Sequence, residues 1–318
     1  MRQIAPTETS APVAAHYAVY RAVVVPHALC QSLCLVLRAM HHRVPFHSAP
    51  ALFQRSYPLT VFPSPSTRPT PSPRYDAAYF AWEKRRERLW DAVSTHRVGC
   101  RMREPDLITL AECDCYAGFW RERLRERGYD SIWRKRPRDC SPDGCCIGWR
   151  SSTFELVATA GYDFGTQLNK PPDRVCLFAL LKWRRDPTVQ LVVATTHLQR
   201  DPESETHQLA RGFQYGSIFR KLLSFASAHG AEDAPVVFTG DLNSKDCDEL
   251  AGIARALVRL LSSPTHPLLW SVTDAPTPAT TVTEERQLRI DYVLYQSDSL
   301  ALTGAHFFRK SEKELRKS

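Results

Sequence analysis

The spacing of apolar and polar residues from residue 75 onward predicts an alternation of helices and strands. Residues 76–97 carry Trp82, Leu89, Trp90 and Val93 among charged residues, which is typical of an amphipathic helix. Further helices are predicted at 117–127, 204–229 and 246–260. Apolar runs predict strands at 106–111, 145–149, 154–158, 175–183, 189–195, 236–239 and 290–295.

The order of these elements predicts an α/β fold. The turn at 184–187 joins two strands as a hairpin, whereas helices separate other strands, and this combination indicates mixed sheets covered by helices. The helix at 204–229 is long enough to cover one sheet. Its predicted apolar face consists of Leu209, Phe213, Gly216, Phe219 and Leu223.

Residues 1–74 differ in composition from the rest of the chain. They contain 11 of the 23 Pro and seven Arg against one acid, Glu8. Leu29, Leu33 and Leu37 have helical spacing, but a proline and polar residues interrupt any apolar run of bilayer length. We therefore expect a disordered segment or a targeting segment of the transit-peptide type, and no membrane span.

The composition as a whole is that of a globular protein and excludes fibrous, membrane and fully disordered classes. The net charge is +8, and most of it lies in residues 1–74. The ten Cys show no C-x-x-C spacing and indicate free thiols in a reducing compartment. We expect a cytoplasmic protein, with a mitochondrial or plastid location as the alternative.

Two predicted strands are followed directly by side chains that could serve a site at the strand ends. Glu112 ends the segment Leu110-Ala-Glu112, and carboxylates are the usual protein ligands of Mg²⁺. His197 ends Ala194-Thr-Thr-His197, where an imidazole can donate to a phosphate oxygen. The alternatives are a helix cap or surface residue for Glu112, and a backbone-bonded histidine for His197.

The segment Val236-Val-Phe-Thr-Gly-Asp-Leu-Asn-Ser244 carries the strongest chemical signal. Asp241 and Asn243 are two residues apart, so that both side chains can face one side of an extended chain, and Gly240 allows a tight turn. An aspartate can accept a proton from water, and an asparagine can donate to a phosphoryl oxygen. An Asx turn is the alternative interpretation.

Asp291 lies within an otherwise apolar predicted strand, Arg289-Ile-Asp-Tyr-Val-Leu-Tyr295. A carboxylate in such a strand is costly unless it is paired, so we expect a cation or an imidazole beside it. A salt bridge to Arg286 or Arg289 is the alternative.

Together and in this order, the four segments resemble those of the endonuclease/exonuclease/phosphatase superfamily, the deoxyribonuclease-I-like hydrolases. More narrowly they resemble its nocturnin, angel and poly(A)-deadenylase branch. The resemblance covers about residues 75–300 and implies a four-layer α/β sandwich of two mixed β-sheets flanked by helices. Further matches are Trp82-Glu-Lys-Arg-Arg86, Pro105-Asp-Leu-Ile-Thr-Leu-Ala-Glu112, Arg127-Gly-Tyr129 and Pro142-Asp-Gly-Cys145.

The resemblance implies a role for each residue singled out above. Glu112 would be the ligand of Mg²⁺, or of Mn²⁺ as an alternative. Asp241 would be the base or the carboxylate that orients water, and Asn243 and His197 would contact the phosphate. Asp291 would orient a catalytic imidazole.

The chain departs from the family pattern at both ends. The family's first strand ends in Asn, whereas this chain contains only Asn169 and Asn243, and the family's final Ser-Asp-His is missing. His306 lies in a different setting, Gly-Ala-His-Phe. We therefore expect residues 75–318 to form a domain without its first and last core strands. Losing one electrostatic donor typically lowers a rate about 10²- to 10³-fold, so an impaired protein that only binds RNA is one alternative.

The branch implies an RNA 3′ end, often adenylate, as the substrate. Arg138 belongs to a basic cluster that could follow a phosphate backbone, and Trp133 beside it could stack on a base. Arg174 and Arg200 are candidates for the rim of the site. The predicted activity is that of a 3′–5′ exoribonuclease of the deadenylase type, and the alternative is a phosphatase acting on a nucleotide such as NADPH.

Overall fold

The computed structural model describes residues 18–25, 33–39, 82–94, 96–98, 101–165, 171–244, 270–272, 281–282, 287–296 and 300–307. Within these residues the helices are α1 (Trp82–Ser94), α2 (Arg121–Glu126) and α3 (Glu205–Ala228), and a π-helical turn, Tyr116–Trp120, leads into α2. The strands are β1 (Ala18–Val25), β2 (Leu33–Ala39), β3 (His96–Val98), β4 (Arg101–Arg103), β5 (Leu107–Leu110), β6 (Tyr129–Lys135), β7 (Gly144–Arg150), β8 (Phe154–Phe164), β9 (Arg174–Trp183), β10 (Asp186–His197), β11 (Val236–Asp241), β12 (Trp270–Val272), β13 (Thr281–Val282), β14 (Gln287–Leu288), β15 (Asp291–Gln296) and β16 (Leu300–Phe307).

The first large sheet has the strand order β16-β2-β1-β5-β7-β6 in the described part of the chain. β1 and β5 run parallel, with Val25 in register with Leu110, and the other neighbours are antiparallel. The sheet is therefore mixed. The carboxyl ends of β1 and β5 lie at the same edge, two residues before Glu112.

The second large sheet has the order β12-β15-β11-β10-β9-β8. β10 and β11 run parallel, and this pairing places His197 in register with Asp241. β15 runs antiparallel to β11 and places Asp291 in register with Asp241. One edge of this sheet thus collects three of the polar residues that the sequence singles out.

Apolar packing orders the described elements into four layers. The two sheets face each other across a core that includes Trp149, Leu191 and Val237. α1 and α2 cover the outer face of the first sheet around Ile108, and α3 covers the outer face of the second around Phe178. The predicted α/β sandwich of two mixed sheets flanked by helices is confirmed.

Strands that the sequence did not predict form near both ends of the chain. β1 and β2, from within residues 1–74, join the first sheet, and β16 pairs with β2. The domain boundary at residue 75 and the absence of the family's first and last core strands stay predictions. The leucines of β2 also recur every second residue, at 33, 35 and 37, so that one apolar pattern fits both a helix and a strand.

Two further predictions are corrected inside the domain. Leu209 of α3 is exposed, whereas Phe219 is buried as predicted, and the buried face also contains Tyr215, Ile218 and Leu222. β6 forms where no strand was predicted. It is the last strand of the first sheet and most of its residues are only partly buried, so its sequence lacks the apolar run by which the other strands were predicted. The helix predicted at 246–260 lies outside the described residues.

The described cysteines with settled side chains are free thiols, as the sequence predicts. Four of them are buried: Cys113, Cys145, Cys146 and Cys176. Loss of hydration on burial raises the pKa of the Cys176 thiol to about 12. Among the described helices, none combines the length and apolar character that crossing a membrane requires.

Candidate active site

The ends of β5, β10 and β11 bring three predicted site residues together. Glu112 Oε1 lies 2.9 Å from His197 Nδ1, and His197 Nε2 lies 3.8 Å from Asp241 Oδ2. The imidazole therefore lies between a carboxylate of the first sheet and a carboxylate of the second. The site spans the crevice between the two sheets at one end of the sandwich.

A fourth residue, Asp143, joins this group from the start of β7. Two backbone hydrogen bonds, from Cys113 N to Gly144 O (2.7 Å) and from Gly144 N to Cys113 O (3.1 Å), extend the β5–β7 ladder past Leu110. This extension brings the residues next to Cys113 and Gly144 close together. Glu112, Asp143 and His197 each present a possible ligand atom within 4.8 Å of the others.

The segment Pro142-Asp-Gly-Cys145 contributes to the family resemblance, but the sequence did not assign Asp143 a role. The available signal was a carboxylate directly before an apolar strand. That signal is weak by itself, because acidic residues are common in loops. Only the pairing of β7 with β5 shows that Asp143 and Glu112 meet.

Two site residues other than glycine adopt left-handed backbone conformations. Glu112 and Asn243 both have φ near 50°. Asparagine tolerates this region, whereas glutamate adopts it at a cost of about 1–2 kcal/mol. The fold therefore holds Glu112 in a strained conformation, and such strain is concentrated at functional sites.

Gly240 allows β10 and β11 to approach each other beside the site. Its φ is 145°, and a Cβ at this position would lie 2.0 Å from Thr196 O. A side chain would therefore push apart the two backbones that carry His197 and Asp241. The sequence predicts a tight turn at Gly240, whereas Gly240 lies within β11, where the close approach of β10 requires a glycine.

Burial sets the protonation of His197, which is 8% exposed. Loss of hydration lowers the pKa of the imidazole, and the Asp241 carboxylate, the next largest influence, opposes this shift. Burial therefore favours the neutral form of the ring. A neutral imidazole offers one nitrogen as a donor and the other as an acceptor.

Asp241 and Asn243 form the Asx turn that was the alternative interpretation of their motif. Asn243 N donates to Asp241 Oδ1 at 3.0 Å, and Asn243 Nδ2 donates to Leu198 O at 3.2 Å. The turn and the site are not exclusive, because the turn is part of the site wall. An amide nitrogen carries two hydrogens, so this bond leaves the second as a donor.

Asp291 is buried at the start of β15, directly across from Asp241. This places the carboxylate at the same sheet edge as His197. His306, which the sequence already set apart from the family's final histidine, lies within β16 of the first sheet, in register with Cys34.

Comparison with known protein families shows which family this chain belongs to. The model of the Endonuclease/Exonuclease/phosphatase family matches residues 79–312. The chain belongs to this family. It is thus a member of a group of nucleases and phosphatases, which are hydrolases of phosphoesters.

Curated relatives agree with the predicted branch. Protein angel of Drosophila melanogaster is 31% identical over 174 residues, which is 52% of this chain and 45% of angel. Nocturnin of Rattus norvegicus is 22% identical over 237 residues, which is 70% of this chain and 51% of nocturnin. The CCR4-Not complex 3′-5′-exoribonuclease subunit Ccr4 of Saccharomyces cerevisiae is 26% identical over 54% of this chain and 23% of Ccr4. The chain therefore spans about half or less of these relatives.

Solved structures share the fold. The human nocturnin catalytic domain with bound sulfate aligns with a TM-score of 0.52 and 19% identity, over 66% of this chain and 76% of that one. ANGEL2, described as a 2′,3′-cyclic phosphatase in complex with adenosine-2′,3′-vanadate, aligns with a TM-score of 0.51 and 19% identity, over 67% and 76%. These likenesses establish the sandwich architecture of the family member described here.

Arg174, a predicted candidate for the rim of the crevice, has a buried side chain. It is 3% exposed, and its guanidinium donates to Leu198 O at 3.2 Å, to Gln199 Oε1 at 3.2 Å and to Asp173 Oδ2 at 2.9 Å. The cause is its position as the first residue of β9, beside the segment that follows His197. Arg174 therefore fixes that segment.

Trp133, the predicted candidate for stacking on a nucleic-acid base, has two protein partners. Its ring stacks on Tyr116 with centroids 5.3 Å apart, and its Nε1 donates to Cys113 O at 3.0 Å. The side chain points this way because β6 pairs with β7, whose first residue is held against Cys113.

The basic cluster next to Trp133 is largely paired with acids. Arg134 makes a bidentate pair with Asp163 at 2.9 Å, and Arg136 lies 3.7 Å from both Asp143 and Asp173. Arg138 has no ion pair among the residues that the structure describes. It remains a candidate for a phosphate contact.

Arg200 is the other candidate with an accessible guanidinium. Its side chain is 69% exposed, three residues after His197, and lies 3.7 Å from Asp201. This position fits a residue at the rim of the crevice.

Proposed function

We propose that the chain is a divalent-metal-dependent phosphoester hydrolase that shortens RNA from its 3′ end, with adenylate as the preferred substrate. One observation carries the proposal. Glu112, Asp143, His197 and Asp241 meet at the ends of neighbouring strands, across the crevice between the sheets. Acidic groups and an imidazole in this arrangement suit the transfer of a phosphoryl group.

The donor set fits a hard divalent cation. Glu112 and Asp143 supply two carboxylates within reach of one ion, and carboxylate oxygens are ligands that Mg²⁺ and Mn²⁺ prefer. Such an ion would neutralise charge on the phosphate and favour ionisation of a water molecule. Sequence reasoning named Glu112 alone, and the structure adds Asp143 as the second candidate ligand.

The remaining residues can move a proton and orient the phosphate. The bond from Asn243 N fixes Asp241 through Oδ1, so that Oδ2, the oxygen nearer His197, is placed to accept a proton from water. The His197 ring lies where one of its nitrogens can contact a phosphate oxygen. The second amide hydrogen of Asn243 supplies a further donor.

The choice of substrate rests on the relatives. Ccr4 of Saccharomyces cerevisiae is a 3′-5′-exoribonuclease, and it supports RNA as the substrate class. ANGEL2, a 2′,3′-cyclic phosphatase, supplies a competing cyclic phosphate substrate, and the family resemblance supplies NADPH as a competing nucleotide. Oligoadenylate, oligouridylate, NADPH and adenosine 2′,3′-cyclic phosphate therefore form the test panel.

The deciding experiment measures product release by the purified chain with Mg²⁺ or Mn²⁺. We expect 5′-mononucleotides from oligoadenylate, and a loss of about 10²- to 10³-fold in rate for Glu112→Gln and for Asp241→Asn. Glu122→Gln, which alters an exposed glutamate of α2, is the matched control and keeps the full rate. Mononucleotide release that persists in Glu112→Gln, or in the presence of a chelator, would refute the proposal.

The same panel identifies the competing functions. Hydrolysis of NADPH or the cyclic phosphate in preference to oligoadenylate would replace the exoribonuclease with a nucleotide phosphatase. Tight binding of oligoadenylate without metal-dependent turnover would indicate an RNA-binding protein.

A further inference from the structure

The segment that follows His197 is held by polar side chains from several other elements. Leu198 N donates to Asp241 O at 2.9 Å. Leu198 O accepts hydrogen bonds from Arg174 Nε and from Asn243 Nδ2, each at 3.2 Å. The residue next to the imidazole is therefore tied to β9, to β11 and to the turn after β11.

α3 provides a second set of contacts through Gln214, which is fully buried. Gln199 N donates to Gln214 Oε1 at 3.0 Å, and Gln214 Nε2 donates to Gly165 O at 3.4 Å. One amide group thus joins the segment after β10 to the end of β8. A buried amide that meets two backbone groups satisfies both of its functions away from water.

Arg211 lies one turn earlier on α3 and is fully buried as well. Its Nη1 donates to Gln199 O at 3.4 Å and to Asp201 O at 3.3 Å, and its Nη2 donates to Pro202 O at 3.4 Å. One guanidinium therefore contacts three carbonyl groups within four consecutive residues.

These two side chains occupy a helix face that otherwise buries apolar residues. Tyr215, Ile218 and Phe219 of the same helix pack on the second sheet. Burying a guanidinium and an amide there is costly unless both groups are hydrogen-bonded. Backbone groups of residues 199–202 supply hydrogen bonds to both side chains.

We propose that Arg211 and Gln214 are positioning residues for the candidate active site. They fix residues 199–202, and through Leu198 they fix His197 and the amide of Asn243. The inference rests on the proposed function, since it assigns these residues a part in that reaction. Neither side chain touches the reacting atoms. A displacement of about 1 Å in a group that contacts the phosphate is enough to lower a rate about 100-fold.

The test compares Gln214→Leu with Gln208→Leu. Gln208 is an exposed residue of the same helix, so its variant controls for the loss of one glutamine from α3. We expect Gln214→Leu to lower kcat on oligoadenylate about 10- to 100-fold with little change in KM, since the loss affects the transition state. Gln208→Leu keeps the wild-type kcat.

Two conservative variants separate positioning from folding. Gln214→Glu keeps an acceptor oxygen at the same distance along the side chain, and Arg211→Lys keeps a charge and one donor group. We expect each to retain more kcat than Gln214→Leu and Arg211→Met, respectively, when all are compared as folded proteins. Arg220→Met, at an exposed position of α3, is the control for Arg211→Met.

Amide exchange tests the contact independently of activity. We expect exchange at the Gln199 amide to accelerate about 10-fold or more in Gln214→Leu, and the ring resonances of His197 to shift. If the wild-type chain hydrolyses nothing in the panel, the proposed function fails, and these two signals still decide whether the contact positions His197. Unchanged exchange at Gln199, or a wild-type kcat in folded Gln214→Leu, would overturn the inference.

Discussion

Glu112 and Gly240 show how single backbone conformations shape the candidate site. Glu112 has a φ near 50°, which a glutamate adopts only when the surrounding structure imposes it. Gly240 has a φ of 145° and leaves no room for a Cβ against Thr196 O. Both residues lie near strand ends where the side chains of the site converge. Their unusual backbone conformations are therefore part of the geometry that brings Glu112, His197 and Asp241 together.

The close approach of the β10 backbone at Gly240 can be tested by adding a side chain. We expect Gly240→Ala to lower the free energy of unfolding by about 3 kcal/mol or more, because the added methyl group meets the β10 backbone in an unfavourable conformation. Denaturation by urea measures this change.

Gly212→Ala is the matched control. Gly212 lies in α3, and a Cβ there meets nothing within 4 Å. This variant is expected to raise stability by about 0.5–1 kcal/mol, as alanine does in a helix interior. Equal effects of the two variants would contradict the role assigned to Gly240.

The sequence was sufficient to find residues that lie at the site, but not the residues that their side chains contact. Glu112, His197, Asp241 and Asn243 were found because each follows an apolar run, a pattern that is local. Their assigned roles stay predictions. The sequence did not show that Arg174 contacts Leu198 O or that Trp133 stacks on Tyr116, because these contacts depend on segments that are distant in the chain.

Helix α3 has two structural roles. It covers the second sheet with an apolar face, and it sends Arg211 and Gln214 toward the segment after His197. The helix length and its end before Gly230 agree with the prediction from sequence. The predicted apolar face agrees at Phe219 but not at Leu209, because polar residues interrupt the apolar periodicity of the helix.

A pair of leucine variants tests which face of α3 is buried. Leu222 is 2% exposed, whereas Leu209 is 77% exposed. We expect Leu222→Ala to cost about 2–5 kcal/mol and Leu209→Ala to change stability by less than about 0.5 kcal/mol. Thermal and urea unfolding measure both. A larger cost for Leu209→Ala would restore the face predicted from sequence.

The whole molecule depends on strands that are far apart in the chain. β1 lies between β2 and β5, and β16 is held through β2, so the first sheet is completed from both ends of the sequence. Removing residues 1–74 would expose the unpaired edge of β5, and exposed edges favour aggregation.

Truncation therefore tests the domain boundary predicted at residue 75. We expect the chain 75–318 to be less soluble and to unfold at a lower temperature than the chain 18–318, which keeps β1 and β2. Soluble yield and Tm are the measurements. A fragment 75–318 with the solubility and Tm of the longer chain would support the prediction that residues 1–74 are a disordered or targeting segment.

The alternation of strands and helices, the α/β class, and the polar residues at or just after the ends of β5, β10 and β11 could be predicted from the sequence alone. These features depend on side-chain periodicity and residue type over fewer than about ten positions, and such information is local. The tertiary structure alone decided that Asp143 meets Glu112, that Arg174 is buried, and that β1, β2 and β16 complete a sheet. Each of these depends on which distant segments pair, and pairing is governed by long-range burial and hydrogen bonding that no local pattern encodes.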